Sequence, residues 1–126
     1  SFKQKPEGKL FFVSDFMATI NLGEPSFELY DEIVSESKGR IINSEGKLAG
    51  SSITQIDAIK NAYEKCNIPL ENAISMATLY PAEYLGVSDR LGQLKKGYRA
   101  DLVHFSSDFK IQSVWLAGNP IERIQP

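Results

Sequence analysis

Leu10-Phe11-Phe12-Val13-Ser14-Asp15 decides how the chain is read. Four apolar residues without a polar break predict a strand buried on both faces, the kind found in parallel sheets, and the polar pair Ser14-Asp15 ends it. An acidic residue at the C-terminal end of such a strand occupies the place where α/β barrels put catalytic groups, because the strand fixes the side chain while the loop opens to ligand. The competing role for Asp15 is a local one, capping the following turn. A parallel-type strand needs parallel neighbours, and the sequence supplies none. The N-terminal half therefore reads as the tail of a larger α/β architecture, and the start Ser1-Phe2-Lys3-Gln4-Lys5-Pro6 suggests a cut piece.

Working outward, Ser26–Tyr30, 32–36 and 39–43 alternate in polarity between the turn candidates Ser37-Lys38-Gly39 and Asn43-Ser44-Glu45-Gly46, which predicts an antiparallel meander. Ser52-Ile53-Thr54-Gln55 fits the S-x-x-Q capping box, and Ile53, Ile56, Ile59, Ala62, Tyr63 and Cys66 follow at helical spacing. A second helix is expected with Pro69 in its first turn and Leu70, Ala73, Ile74, Met76 and Ala77 on its apolar face. Pro81 should interrupt it, leaving a short turn over 82–85 that stops at Gly86. Period-two stretches at 101–106 and 110–117 predict strands turning at Ser107-Asp108. Gly118-Asn119 then reads as a hairpin dipeptide before a last apolar stretch at 121–124.

The 126 residues carry 14 Lys plus Arg against 16 Asp plus Glu, a net charge of −2, which argues against a nucleic-acid or membrane-surface binder. Apolar runs are far shorter than the roughly 20 residues of a membrane span. No signal-peptide pattern is visible, and one cysteine, Cys66, makes no internal disulfide; the cytoplasm is the expected compartment.

Few residues invite chemistry. His104, the only histidine, lies in a predicted strand and reads as locally packed or hydrogen-bonded, and with Cys66 it is too little for a histidine-based metal centre. No G-x-S-x-G elbow occurs, and Gly39 to Lys47 has the wrong spacing for a phosphate loop. Arg90, Lys95, Lys96 and Arg99 read as a solvated loop, Asp101 as a turn-fixing residue, Gly92 and Gly97 as turn positions, and Phe105 and Trp115 as core aromatics.

Four stretches together resemble a known family: 10–18, ending in Asp15-Phe16-Met17-Ala18; Gly46-Lys47-Leu48-Ala49-Gly50-Ser51-Ser52; Met76-Ala77-Thr78-Leu79-Tyr80-Pro81-Ala82; and 91–102. They are similar to the C-terminal part of the N-acetylglucosamine-6-phosphate deacetylases. The spacing Thr78-x-x-Pro81-Ala82-x-x-Leu85-Gly86, then Gly92-x-Leu94-x-x-Gly97-x-x-Ala100-Asp101-Leu102, is that of the wider amidohydrolase superfamily.

The resemblance implies an α/β fold: the C-terminal fragment of a metal-dependent (β/α)8 barrel, plus the C-terminal strands of its small β-sandwich domain. Residues 1–90 would hold the last barrel strand, a meander insertion and the C-terminal helices, and 91–126 the share of the sandwich. It also implies hydrolysis of an acetamide to glucosamine 6-phosphate and acetate. Asp15 would be the general base and acid, and Leu48, Ala49 and Gly50 would contact the sugar. A divalent, zinc-type metal is implied in the full-length enzyme, with ligands upstream and none in this chain. A complete barrel needs about 250 residues, so the isolated fragment is expected to be inactive, with the N-terminal barrel portion as its missing partner. Apolar faces left in water predict a homo-oligomer. The alternatives are a non-catalytic, self-associating module or remnant, and another amidohydrolase.

Overall fold

The computed structural model describes residues 10–15, 26–29, 32–37 and 40–122. The chain divides into two compact units, Val13–Ala58 on the one hand and Ser1–Phe12 with Ile59–Pro126 on the other.

The Val13–Ala58 unit is built on an antiparallel meander of β1 (Ser26–Leu29), β2 (Glu32–Ser37), β3 (Arg40–Ile42) and β4 (Leu48–Ser51), in the order β1-β2-β3-β4. Phe27 pairs with Val34, Glu36 with Ile41, and Ile41 with Gly50. The pleat sends alternate side chains to opposite faces. Val34 is accordingly buried while its neighbour Ile33 is exposed, and Ile41 is fully buried. The meander expected from sequence is present, but β4 is an addition: Leu48–Ser51 lies outside the expected strands, and the chain pairs it with β3. The expected turn at Ser37-Lys38-Gly39 lies partly outside the described residues, as do Met17, Ala18, Tyr30 and the end of the 121–124 stretch. The 43–46 turn forms as expected. Asn43 Oδ1 accepts from the N–H groups of Glu45 (3.1 Å) and Lys47 (2.8 Å), while its carbonyl accepts from Gly46 (2.9 Å). Such side-chain closure is why Asn favours turns.

Helix α1 (Gln55–Cys66) starts two residues later than the S-x-x-Q frame predicts. The cap is Thr54, whose Oγ1 accepts the Asp57 N–H (3.3 Å), and the Asp57 carboxylate accepts the Thr54 N–H (3.1 Å). This is a T-x-x-D box, equally able to satisfy the free amides of a first turn. Ile59 and Ala62 form its buried stripe.

In the other unit, α2 (Leu70–Ala77) buries Ala73 and Met76, and α3 (Leu79–Tyr84) buries Tyr80 and Ala82. Pro69 is the residue before α2 rather than within its first turn. The helix break also differs from the expected one. It falls at Thr78 (φ −133°, ψ −79°), and Pro81 sits inside the first turn of α3, which absorbs the predicted 82–85 turn. A first-turn proline has no N–H to leave unsatisfied, so it starts a helix at no cost in hydrogen bonds. The stop at Gly86 is as read. Gly86 adopts φ 68°, its N–H donates to Glu83 and the Val87 N–H to Ala82 (2.9 Å), a Schellman closure.

Leu10–Val13 is not a strand. These residues pair with no strand among those described; Leu10, Phe11 and Phe12 are half-buried and Val13 is exposed. The Phe12 N–H instead donates to the Met76 carbonyl (3.0 Å) in the last turn of α2, where carbonyls lack helical partners, and the Phe11 ring lies 5.2 Å from that of Tyr84. A strand is a property of its neighbours, and a parallel-type run without them takes what donors and acceptors are near.

β5 (Leu102–Phe105), β6 (Ile111–Leu116) and β7 (Asn119–Pro120) form an antiparallel sheet in that order. The β6–β7 turn is Ala117-Gly118, one residue before the expected dipeptide, with φ 50° and 82°. Two left-handed residues match the twist of the flanking strands. Phe105 and Trp115 are only half-buried, and Phe105 stacks on Phe109 with centroids 5.9 Å apart. Within this unit no second sheet lies against β5–β7 among the described residues, and the buried apolar side chains are on and beside the helices.

Candidate active site

Asp15 and the Leu48–Gly50 segment, separated by more than thirty positions, meet in the Val13–Ala58 unit. The Ser51 N–H donates to the Asp15 main-chain carbonyl at 2.9 Å. Asp15 is exposed and adopts φ 42°, in the left-handed region that Asp enters more readily than most residues. Opposite it, β4 is irregular. Ile42 pairs with Leu48 and Ile41 with Gly50, so Ala49 is an extra residue bulged out of the ladder. Bulges turn a strand and re-aim its side chains, and they concentrate beside functional sites. Gly50 is buried with φ 145°, a conformation that side-chain-bearing residues rarely take. Leu48 is 69% exposed, an apolar side chain held in solvent beside a polar loop. The arrangement offers an exposed carboxylate on Asp15 and an exposed apolar side chain on Leu48, in segments tied by the Ser51–Asp15 backbone hydrogen bond.

Ser51 is a participant that residue types do not announce, because a backbone donor carries no signature. The glycine before it is the only signal of unusual backbone.

The remaining candidates belong to the other unit. His104 is an exposed ladder residue of β5 opposite Ser113, and Cys66 is exposed at the end of α1. His104 lines an apolar groove of about 670 Å³ with Ile74, Leu91, Leu94 and Trp115. Asp101 does fix a turn, though a distant one: its Oδ1 accepts the Ala117 N–H at 2.9 Å, and Arg99 Nε donates to its Oδ2 at 2.7 Å. The Arg99 hydrogen bond first, and the Ala117 N–H second, hold the Asp101 carboxyl below the usual range. Arg90, Lys95, Lys96 and Arg99 are exposed, as a solvated loop should be. Gly92 is more than a turn position. At φ 86° its added Cβ would lie 2.9 Å from the Thr78 carbonyl oxygen and from the Ala82 Cβ, so the loop rests directly on the start of α3.

No group of three or more His, Cys, Asp or Glu among the described residues is placed to hold a metal ion. The described donors therefore do not fit a catalytic metal centre, which takes three protein ligands. No helix among them is long and apolar enough to cross a membrane.

The amidohydrolase family model matches residues 24–121. This chain belongs to the amidohydrolase family. Similar proteins within it include the N-acetylglucosamine-6-phosphate deacetylase of Vibrio furnissii, 34% identical over 87% of this chain and 28% of its own length. An N-acetylgalactosamine-6-phosphate deacetylase of a Shewanella species is 30% identical over 94% of this chain and 30% of its own length. The crystal structure of N-acetylglucosamine-6-phosphate deacetylase from Pasteurella multocida superposes with a TM-score of 0.88 at 31% identity, over 96% of this chain and 32% of that one. The chain thus spans under a third of the length of these amidohydrolases.

Proposed function

We propose that this chain is the C-terminal share of an amino-sugar-6-phosphate deacetylase that hydrolyses N-acetylglucosamine 6-phosphate to glucosamine 6-phosphate and acetate. The observation that carries the reading is the junction of Asp15 with β4, since it joins an exposed carboxylate to a bulged segment with a solvent-facing leucine. In this role the Asp15 carboxylate takes a proton from the attacking water as its oxygen bonds to the acetyl carbon. It then delivers a proton to the amine nitrogen as the C–N bond breaks. A general base must also be able to act as the acid in the second step, and a carboxylate on fixed backbone reaches both atoms. Leu48, Ala49 and Gly50 meet the sugar through main-chain groups and the leucine side chain.

The divalent, zinc-type metal of the family reading would have to draw its ligands from polypeptide outside this chain, namely the N-terminal barrel portion. Residues 1–90 would then complete that (β/α)8 barrel and 91–126 its small β-sandwich. A homo-oligomer and a cytoplasmic location go with the reading; the exposed Leu85, Leu94 and Val103 support further association.

The test is acetate release from N-acetylglucosamine 6-phosphate by the full-length polypeptide carrying this chain, with the 126-residue chain alone as the inactive arm. Turnover only by the former is expected. Absence of turnover there, or turnover by the short chain alone, overturns the reading. Because the Shewanella relative is named for the galactosamine epimer, both epimers are assayed, and the larger kcat/KM names the substrate.

A further inference from the structure

Three backbone features converge on Asp15. The Gly50 φ of 145° and the extra residue Ala49 distort β4 just before Ser51. β4 is the last strand of its sheet, and among the described residues no strand pairs with its other edge. The Ser51 N–H is directed to the Asp15 carbonyl (2.9 Å), and Asp15 itself stands at φ 42°. On the inner side the same strand is fixed by Ile41, which pairs with Gly50 and is fully buried.

We propose that Gly50 is a positioning residue for Asp15: its glycine-only backbone turns the Ser51 N–H toward Asp15, and that hydrogen bond holds Asp15 in the left-handed conformation that aims its carboxylate. The proposal rests on the deacetylase reading of Asp15. A Cβ at position 50 drives φ away from 145°, which swings the Ser51 N–H off the Asp15 carbonyl and lets Asp15 relax toward commoner backbone. Misplacing a reacting group by about 1 Å costs on the order of 10²-fold in rate. A residue that only contacts the sugar behaves differently, since loss of uniform binding raises KM and spares kcat.

The experiment compares Gly50→Ala, Asp15→Asn, their double variant and Gly46→Ala in the full-length polypeptide. Gly46 is a fitting control: it too has a left-handed φ, 75°, in the same meander, with open space around it. Gly50→Ala should lower kcat about 10²-fold, beyond any rise in KM from its contact with the sugar, and the double variant should be no slower than Asp15→Asn alone. Gly46→Ala should leave both constants near wild type. A raised KM with intact kcat, or additive losses in the double variant, overturns the proposal. Should Gly50→Ala fail to fold, amide exchange in the wild-type protein decides: a Ser51 N–H protected like those of the β3 ladder supports it, and free-peptide exchange overturns it. An inactive wild type fails the deacetylase reading instead, while Ser51 exchange still reports on the backbone tie.

Discussion

The two units use their irregular backbone for different ends. In the unit holding α2, α3 and β5–β7, several left-handed residues close an element or seat a loop. Gly86 ends α3, Ala117-Gly118 turns β6 into β7, and Gly92 lets a loop lie against the Thr78 carbonyl. Two of its carboxylates are occupied with neighbours, Asp101 by Arg99 and the Ala117 N–H, Asp108 by Lys110 and Ser106. In the meander unit Gly46 closes the turn from β3 to β4, whereas Asp15 presents an exposed carboxylate beside a bulged strand. Backbone strain that ends an element is explained by the fold, whereas strain that presents a side chain calls for a functional account.

The sharpest way to break this comparison is Asp15→Asn in the full-length polypeptide. Asn enters the left-handed region as readily as Asp and keeps its size, so the fold should be unchanged. Proton transfer by a placed side chain contributes about 10²–10⁴-fold, and a group serving two transfers belongs at the upper end. Retention of more than about a tenth of wild-type kcat, a barrier change below about 1.4 kcal/mol, would make Asp15 a structural residue like Asp101.

Next in size is Gly92→Ala, read as a shift in urea midpoint of the 126-residue chain. The left-handed φ and the 2.9 Å approach to a backbone oxygen act together, for about 2–4 kcal/mol. Gly97 has a similar φ, 90°, but open space, so Gly97→Ala should cost only the conformational part, about 1–2 kcal/mol. Equal costs at the two positions would remove the close approach from the account.

A smaller effect separates the two capping frames of α1. Thr54→Ala should cost about 1 kcal/mol, the usual worth of an N-cap side chain. Gln55→Ala should stay within about 0.5 kcal/mol, as exposed substitutions do. The reverse order would restore the S-x-x-Q frame.

These cases show what was legible in the sequence. Helical spacing from Ile56 to Ala62 and alternation around Ile41 and Val34 are local patterns, and the structure follows them. The cap frame was ambiguous because Ser52 and Thr54 both stand three residues before a polar side chain, and only helix length decides between them. β4 was hidden since a bulge and a glycine erase alternation. Leu10–Val13 failed as a strand for the opposite reason: its pattern is clear, but strand formation depends on partners that a pattern cannot contain. Of the candidate site, Asp15 is named by its place after an apolar run and Leu48–Gly50 only by the family resemblance, while their junction runs through two main-chain groups and leaves no trace in the letters.

The smallest expected effect concerns acid stability, and it tests whether Asp108 and Asp101 are structural where Asp15 is chemical. Lys110 Nζ lies 2.8 Å from Asp108 Oδ2, and together with the Ser106 hydroxyl it holds the Asp108 carboxyl down at about 2. A carboxyl lowered on folding stabilises the protein wherever it is ionised in both states. The contribution is therefore complete above the ordinary value of 3.8 and is lost as pH falls toward about 2. Lys110 is raised by the same partner, so its share is present at neutral pH and disappears only as pH rises through that raised value. Both side chains are largely exposed, so water and salt screen the pair, and the effect should fade at about 1 M salt. Asp108→Asn should flatten the loss of stability between about pH 4 and pH 2 without touching kcat at neutral pH. Asp101→Asn should do the same and also loosen the β6–β7 turn, because its carboxylate accepts the Ala117 N–H across sixteen positions while the Asp108 contacts stay within its own loop. An unchanged acid limb in Asp108→Asn would show that the pair is too well solvated to matter. A fall in kcat in either variant would place a working carboxylate in the unit assigned here to structure alone.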